Sequence, residues 1–488
     1  MKDSKPNIIL IVIDALRARN LGCYGMDGNP SPNIDRIAKQ SVLFENAYAC
    51  WNTTDQSLTS ILSGKYPRSH GIMNHGDKVK LAEIDSLQKT NTKLLAQILR
   101  QSGYETMAVD WMGRWFKQGF DYYGYEIERH GRENLSYYAV ELPKLYTKYM
   151  IGHLPILKCY TPMRKPTFHN IIKGIKDVLS TFAFTFNLAK LQDASFVTRI
   201  ADELIKQQNE EPFFLFLHYW NTHTPYNCPQ NFMDNKKDIS GSKSLLTSKY
   251  HGAVKYVDFQ LGKMFDVLKK NKLWENTLLI ITSDHGDSLT EHDIFFDHHG
   301  LYEETTHVPL ILHYPNFFTE EKRIISLVQH IDLVPTICDL VNVKYLKEEF
   351  DGQSLLPLIH DKIDKIRDHV FIEESYVQKK SALRTKKYKY ITAYENDGWC
   401  NYCQKVHVGK EELYDLENDP CENSDITQEE KSIAKQMNNQ ILKIIKHLDK
   451  NREDKMSKNE LSIKDDNQIY DPQEEEIIRK RFKNLGYL

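Results

Sequence analysis

The run Asn7-Ile8-Ile9-Leu10-Ile11-Val12-Ile13-Asp14 has no polar residue between its first and last positions, and most of its members are β-branched. Such a run suits a strand buried on both faces of a parallel sheet. It stops at Asp14, where a side chain beyond the carboxyl end of a strand would project towards a ligand. Shorter apolar runs recur at 213–217 before His218, at 278–281 before Thr282-Ser283-Asp284, and at 308–312. Helical stripes separate them. One covers 92–102, with Leu94, Leu95, Ile98 and Leu99 on one face before Gly103; another covers 250–268, with Val254, Val257, Leu261, Phe265 and Leu268. Strands alternating with helices predict an α/β fold, a central and mostly parallel sheet with helices on both faces. Ligands bind beyond the carboxyl ends of such strands, where Asp14 and Asp284 both fall.

Around that core the composition is ordinary. The 488 residues carry 64 Lys and Arg against 67 Asp and Glu, a formal charge of -3, so no basic excess points to nucleic acid and no acidic excess to a solvating tail. Eight irregularly spaced Cys are too sparse for a disulfide framework. Cys400 and Cys403, with His407 and Cys421, have the spacing of half a zinc site, but no second Cys-x-x-Cys pair follows and a structural zinc is not expected. The N-terminal apolar run is too short for a membrane span and lacks a small-residue cleavage site, so a cytoplasmic enzyme without a transmembrane segment is expected. The pattern loosens into a helical insertion over about 125–195. Short strands at 370–372, 382–384 and 389–392 predict a small C-terminal antiparallel sheet, so the chain divides into a catalytic domain over 1–365 and a subdomain over 366–488. The subdomain ends in a helical stripe of Ile477, Ile478, Phe482 and Leu485, and the charge cluster at 446–458 reads as a solvated linker.

The richest window runs from Trp51 to Gly71. Thr54 stands just before a helix that ends at Gly64, so free amides of the first turn and a hydroxyl meet at one point, where an anion could be held. Alone, this pattern fits an ordinary N-cap threonine as well.

In sequence order, Asn7–Ile13 with Asp14, Leu21-Gly22-Cys23-Tyr24-Gly25, Pro32-Asn33-Ile34-Asp35, Thr54 to Gly64, His218 to Tyr226, Thr282-Ser283-Asp284-His285-Gly286, Leu301-Tyr302-Glu303, Asp332 to Thr336, Asp351 to Ser354 and Leu413 to Pro420 resemble the sulfatase family of the alkaline phosphatase superfamily. The resemblance runs nearly end to end. It implies a metal-dependent ester hydrolase acting on a small-molecule ester, with Leu62 and Gly64 setting the register of the nucleophile signature. The departures matter for the chemistry. Sulfatases carry Cys or Ser, matured to formylglycine, at the position of Thr54, and the signature's Pro and Arg are here Gln56 and Leu58. Relatives in the superfamily with an unmodified Thr nucleophile are phosphohydrolases and phosphotransferases. A phosphate mono- or diester is therefore the favoured substrate, through a covalent Thr54 intermediate. The alternatives are a genuine sulfuric ester hydrolase, a phosphotransferase, and a non-catalytic sulfatase-like binding protein.

The resemblance implies Asp14, Asp284, His285 and the Thr54 hydroxyl as ligands of one divalent cation, since an alcohol nucleophile at neutral pH needs its alkoxide stabilised. The family's usual second Asp is Ala15 here, and His285 replaces a frequent Asn. Both changes move the donor set from all-oxygen towards mixed nitrogen and oxygen, with zinc, manganese, magnesium and calcium all open. His223 matches the family histidine at the leaving group, a general acid. His298 lies where the family places a substrate-binding Lys; protonated, it would neutralise an ester oxygen, or it would serve a second metal, with His292 and His299 as its neighbours. Asn74 and Arg114 are weaker substrate-binding candidates.

Overall fold

The computed structural model describes residues 5–124, 193–208, 211–233, 241–318, 320–375, 377–394 and 411–460. Nearly all of the expected insertion lies outside them, as do Cys400, Cys403, His407 and the terminal helical stripe. Among the described residues, nine strands form the main sheet: β1 (Asn7–Ile13), β2 (Val42–Tyr48), β3 (Glu105–Val109), β4 (Tyr122–Tyr123), β5 (Phe213–Tyr219), β6 (Thr277–Thr282), β7 (His307–Val308), β8 (Leu310–His313) and β9 (Lys322–Gln329). Their spatial order is β4-β3-β5-β1-β6-β8-β2-β7, with β9 paired to β2. From β4 to β6 every neighbour is parallel; β8 runs antiparallel to both β6 and β2.

β1 lies inside this sheet and is buried along its whole length, which its unbroken apolar sequence demands. Ile8, Leu10 and Val12 pack on one face with Leu58, Ile61 and Leu62 of the helix Thr54–Ser63 and with Leu95 and Leu99 of the helix Leu95–Gln101. Ile9, Ile11 and Ile13 face the other side, against Val197 and Ile200 of the helix Ala194–Lys206 and Val254, Val257 and Leu261 of the helix Gly241–Lys270. The period-two alternation thus divides between two helical layers.

The single strand expected over 308–312 is divided. Pro309 has no N–H to give a ladder, so β7 ends at Val308 and β8 begins at Leu310, whose N–H donates to Tyr24 Oη (2.8 Å).

A second sheet contains β10 (His369–Glu374), β11 (Lys380–Thr385), β12 (Tyr388–Ala393) and β13 (Glu411–Asp415), antiparallel and in that order. The helix Lys431–Glu460 covers it. Ala434, Met437, Ile441 and Leu448 pack on Phe371, Leu383, Tyr390 and Leu413. The solvated linker expected at 446–458 is therefore part of a packed helix. Its charges decorate the outer faces, and Asp449 pairs with Arg68 (3.0 Å), whose guanidinium also holds Glu373 of β10 (2.8 Å). Among the described residues, no helix is long and apolar enough to cross a membrane.

If this helix is part of the folded core, Ile441→Ala should lower the unfolding free energy by about 2–5 kcal/mol, the usual cost of emptying a buried aliphatic site. Chemical denaturation with circular dichroism measures it; an unchanged midpoint would mean that the helix does not pack.

Candidate active site

The loops after β1 and β6 are bound to each other. The Ala15 N–H donates to Asp284 Oδ1 (3.1 Å), the Leu16 N–H donates to Ser283 Oγ (2.9 Å), and Ser283 Oγ donates to the His285 carbonyl (2.5 Å). A Cβ on Gly286 would lie 2.0 Å from the Glu304 carbonyl oxygen, so only glycine lets this loop pass so close to the neighbouring backbone. Asp14 is fixed by its backbone, its N–H donating to the Tyr219 carbonyl (2.8 Å) and its own carbonyl accepting from Thr222 Oγ1 (2.5 Å). The two carboxylates consequently face one another from adjacent strands.

His285 completes the set. Its Nδ1 is 2.7 Å from the Gly286 carbonyl, an acceptor that requires the proton on Nδ1 and leaves Nε2 as the nitrogen turned to the cluster. That Nε2 stands 3.4 Å from Asp284 Oδ2, 3.8 Å from Asp14 Oδ1 and 3.5 Å from Thr54 Oγ1. Thr54 Oγ1 is also 3.5 Å from Asp14 Oδ2. Thr54 is the first residue of its helix, not the cap: Thr53 occupies the N-cap position, and its hydroxyl donates to Gln56 Oε1 (2.6 Å). The Thr54 hydroxyl is thus left for the cluster.

The donor atoms suit a divalent cation. Asp14 Oδ1 and Asp284 Oδ2 are buried with no hydrogen-bond partner, a costly state for a carboxylate oxygen unless a cation meets it. Burial and the charge of Asp14 push the Asp284 carboxyl above its ordinary range, the electrostatic mark of two like charges confined together.

The Sulfatase family model matches residues 6–343, and that of the N-sulphoglucosamine sulphohydrolase C-terminal region matches residues 290–447. The chain belongs to the sulfatase family. It is similar to an arylsulfatase of Clostridium perfringens, 26% identical over 86% of this chain and 89% of the relative, and to an N-acetylglucosamine-6-O-sulfatase of Bacteroides thetaiotaomicron, 24% identical over 86% and 82%. The phosphonate monoester hydrolase of Agrobacterium radiobacter shares the fold, with a TM-score of 0.63 at 18% identity over 91% of this chain and 96% of that one. Like other sulfatase-family members, the chain is an ester hydrolase.

The remaining expected site residues of this sulfatase-family chain divide into two groups. His223 and His298 join the cluster: the His298 ring centre is 4.7 Å from that of His285 and 6.1 Å from that of His223. Burial alone would disfavour a charged His223, but Asp14, the Thr224 carbonyl, Asp287 and Asp284 outweigh it and raise its pKa, favouring the protonated ring that a general acid needs. His298 goes the other way. Burial and the neighbouring His285 hold it well below the ordinary imidazole value, so it meets the site as a neutral ring and not as the expected cation.

Arg114 and Asn74 have protein partners of their own. Arg114 donates to the Gly76 carbonyl (2.6 Å) and pairs with Asp55 (3.3 Å), while the Asn74 amide donates to Glu83 Oε2 (3.0 Å). His299 Nδ1 is 3.1 Å from Asp297 Oδ2. His292 stacks on Tyr302 at 3.7 Å and faces Glu304 and Glu422, a further cluster with ligand-type spacing. There Arg19 (2.6 Å from Glu304) and Lys389 (3.0 Å from Glu422) already supply positive charge.

His218, given no role from sequence, is brought against Asp14. Its place as the penultimate residue of a buried strand, on the end that bears ligands, was the available signal.

Asp284→Ala should cost more divalent-metal affinity than the roughly 10–100-fold typical of losing an outer-shell partner. Elemental analysis after dialysis reads it, and equal metal content in wild type and variant would remove Asp284 from the ligand set.

Proposed function

We propose that this chain is a metal-dependent phosphoester hydrolase working by double displacement on a small-molecule phosphate mono- or diester. The observation that carries the reading is the position of Thr54, an unmodified secondary alcohol whose Oγ1 is 3.5 Å from both Asp14 Oδ2 and His285 Nε2. Asp14, Asp284 and His285, with Thr54 Oγ1, are the residues to hold the cation, whether zinc, manganese, magnesium or calcium. When bound, the cation supplies the positive charge that stabilises an alkoxide and a nonbridging ester oxygen. Thr54 Oγ1, its proton released to solvent, attacks phosphorus in line as the ester bond breaks. His223 gives its proton to the departing alkoxide and then takes one back from the water that attacks phosphorus and releases the phosphoryl group, leaving Thr54 as it began. A threonine hydroxyl has no route to the hydrated aldehyde that lets formylglycine expel sulfate, and this asymmetry favours phosphoryl over sulfuryl transfer.

Turnover of p-nitrophenyl phosphate, a matched phosphodiester and p-nitrophenyl sulfate by the metal-loaded protein tests the reading. The phosphoesters should have the higher kcat/KM. Rapid sulfate turnover with the phosphoesters ignored would favour the sulfuric ester hydrolase, the reading supported by the names of the relatives; inertness to all three would favour a binding protein.

His223→Ala should slow alkyl esters by ~10²–10⁴-fold while sparing nitrophenyl esters, whose leaving group scarcely needs a proton. Uniform slowing along a leaving-group series would count against the acid role.

A further inference from the structure

We propose that His218 is a fourth protein ligand, beside Asp14, Asp284 and His285, of the same cation, with Asp110 as the residue that positions it. The inference rests on the metal-dependent reading of the site and extends its donor set.

His218 is fully buried, its Nδ1 3.0 Å from Asp110 Oδ1. Its Nε2 has no hydrogen-bond partner and stands 3.6 Å from Asp14 Oδ2. The ligand atoms of Asp14, His218 and Asp284 all lie within 4.8 Å of one another. The indole N–H of Trp220 also points at Nδ1, at 3.1 Å. Only one of these two neighbours can decide where the proton sits. An unprotonated Nδ1 would set its lone pair against the Asp110 carboxylate in a buried space, whereas a protonated Nδ1 makes a charge-assisted hydrogen bond to it. The carboxylate therefore wins. With the proton on Nδ1, Nε2 faces a carboxylate oxygen, a geometry satisfied either by a second proton on Nε2 or by a cation between the two, and a bound divalent cation takes that proton's place.

Asp110 is itself anchored, since Tyr123 Oη donates to its Oδ2. Tyrosine holding carboxylate, carboxylate holding imidazole, and imidazole lone pair aimed at an acidic cluster is the order in which metal-binding histidines are supported. Strand order makes it possible. β5 is adjacent to β1, with His218 paired to Val12, so His218 arrives beside Asp14 at the same end of the sheet. Ala15, the residue after Asp14, has no side-chain donor, so this loop offers the single carboxylate of Asp14. Two imidazoles and two carboxylates make a donor set for zinc, cobalt or manganese more than for calcium, which takes oxygen ligands.

The test is metal binding by the full-length protein, wild type and the variants His218→Ala, Asp110→Asn and Asp284→Ala. Cobalt(II) and zinc(II) are titrated against a chromophoric chelator, and the visible spectrum of the cobalt form is recorded. His218→Ala should weaken zinc and cobalt binding by more than 10-fold, shift the cobalt bands and narrow the preference over calcium. Asp110→Asn, which keeps the volume, should weaken binding by roughly 10–100-fold. Wild-type affinity and spectrum in both variants, with binding lost in Asp284→Ala, would overturn the role of His218 and leave the metal site standing. Unchanged binding in Asp284→Ala as well would instead overturn the metal-dependent reading. Should His218→Ala fail to fold, as shown by its near-ultraviolet circular dichroism, Asp110→Asn decides by the same criteria.

Discussion

Two buried carboxylates confront each other without enough hydrogen bonds to satisfy them. Asp14 Oδ1 and Asp284 Oδ2 have no partner, and both residues are completely buried. Left alone, the pair would drive the loops apart or take up a proton. It is held by the covalent continuation of β1 and β6, two adjacent and wholly buried strands, and by a lacing of hydrogen bonds through Ala15, Leu16, Ser283 and His285. The core thus stabilises an electrostatic arrangement that a surface loop could not maintain. Such confined negative charge suits a cation.

The other parts of the molecule hold this point in place. The helix that begins at Thr54 is packed against one face of the sheet by Leu58, Ile61 and Leu62, which leaves its first residue at the carboxyl ends of the strands. The second sheet contributes from the opposite side of the sequence. Glu374, the last residue of β10, accepts from the Gly300 N–H (2.8 Å), and Asn52 donates to the Gly300 carbonyl (3.1 Å). These bonds tie the loop ahead of Thr54 to the loop that carries His298. Through Arg68, the helix Lys431–Glu460 and β10 also meet the short helix Pro67–His70, which follows the helix Thr54–Ser63.

Much of this was legible in the amino-acid sequence, for reasons that differ by element. β1 could be read because complete burial leaves an unbroken apolar run, and Asp14 and Asp284 because strand-terminal acids stand out beyond such runs. Thr54 and His285 needed the family resemblance, since a threonine before a helix is by itself a cap. Three things were hidden. His218 reaches Asp14 through the pairing of β5 with β1, which sequence order does not contain. Asp110 follows a strand, β3, too short and mixed to be read as one. Arg114 and Asn74 look like free polar side chains until folding supplies Asp55, Gly76 and Glu83 as their partners. The charge cluster at 446–458 was misread for a related reason: its apolar stripe is sparse, and Leu448 is buried only because β10 to β13 form beneath it.

Threonine as the covalent nucleophile is the central claim, and trapping its intermediate tests it most directly. The metal-loaded protein is mixed rapidly with a fast-leaving phosphate ester, quenched in acid within one turnover, digested and analysed by mass spectrometry. With release slower than formation, the account predicts about one phosphoryl group per active site on the peptide containing Thr54, an unmodified threonine mass in the resting protein, and no label in Thr54→Ala. Burst-free turnover of the same ester by Thr54→Ala at the wild-type rate, with no label on Thr54 in the wild type, would contradict it.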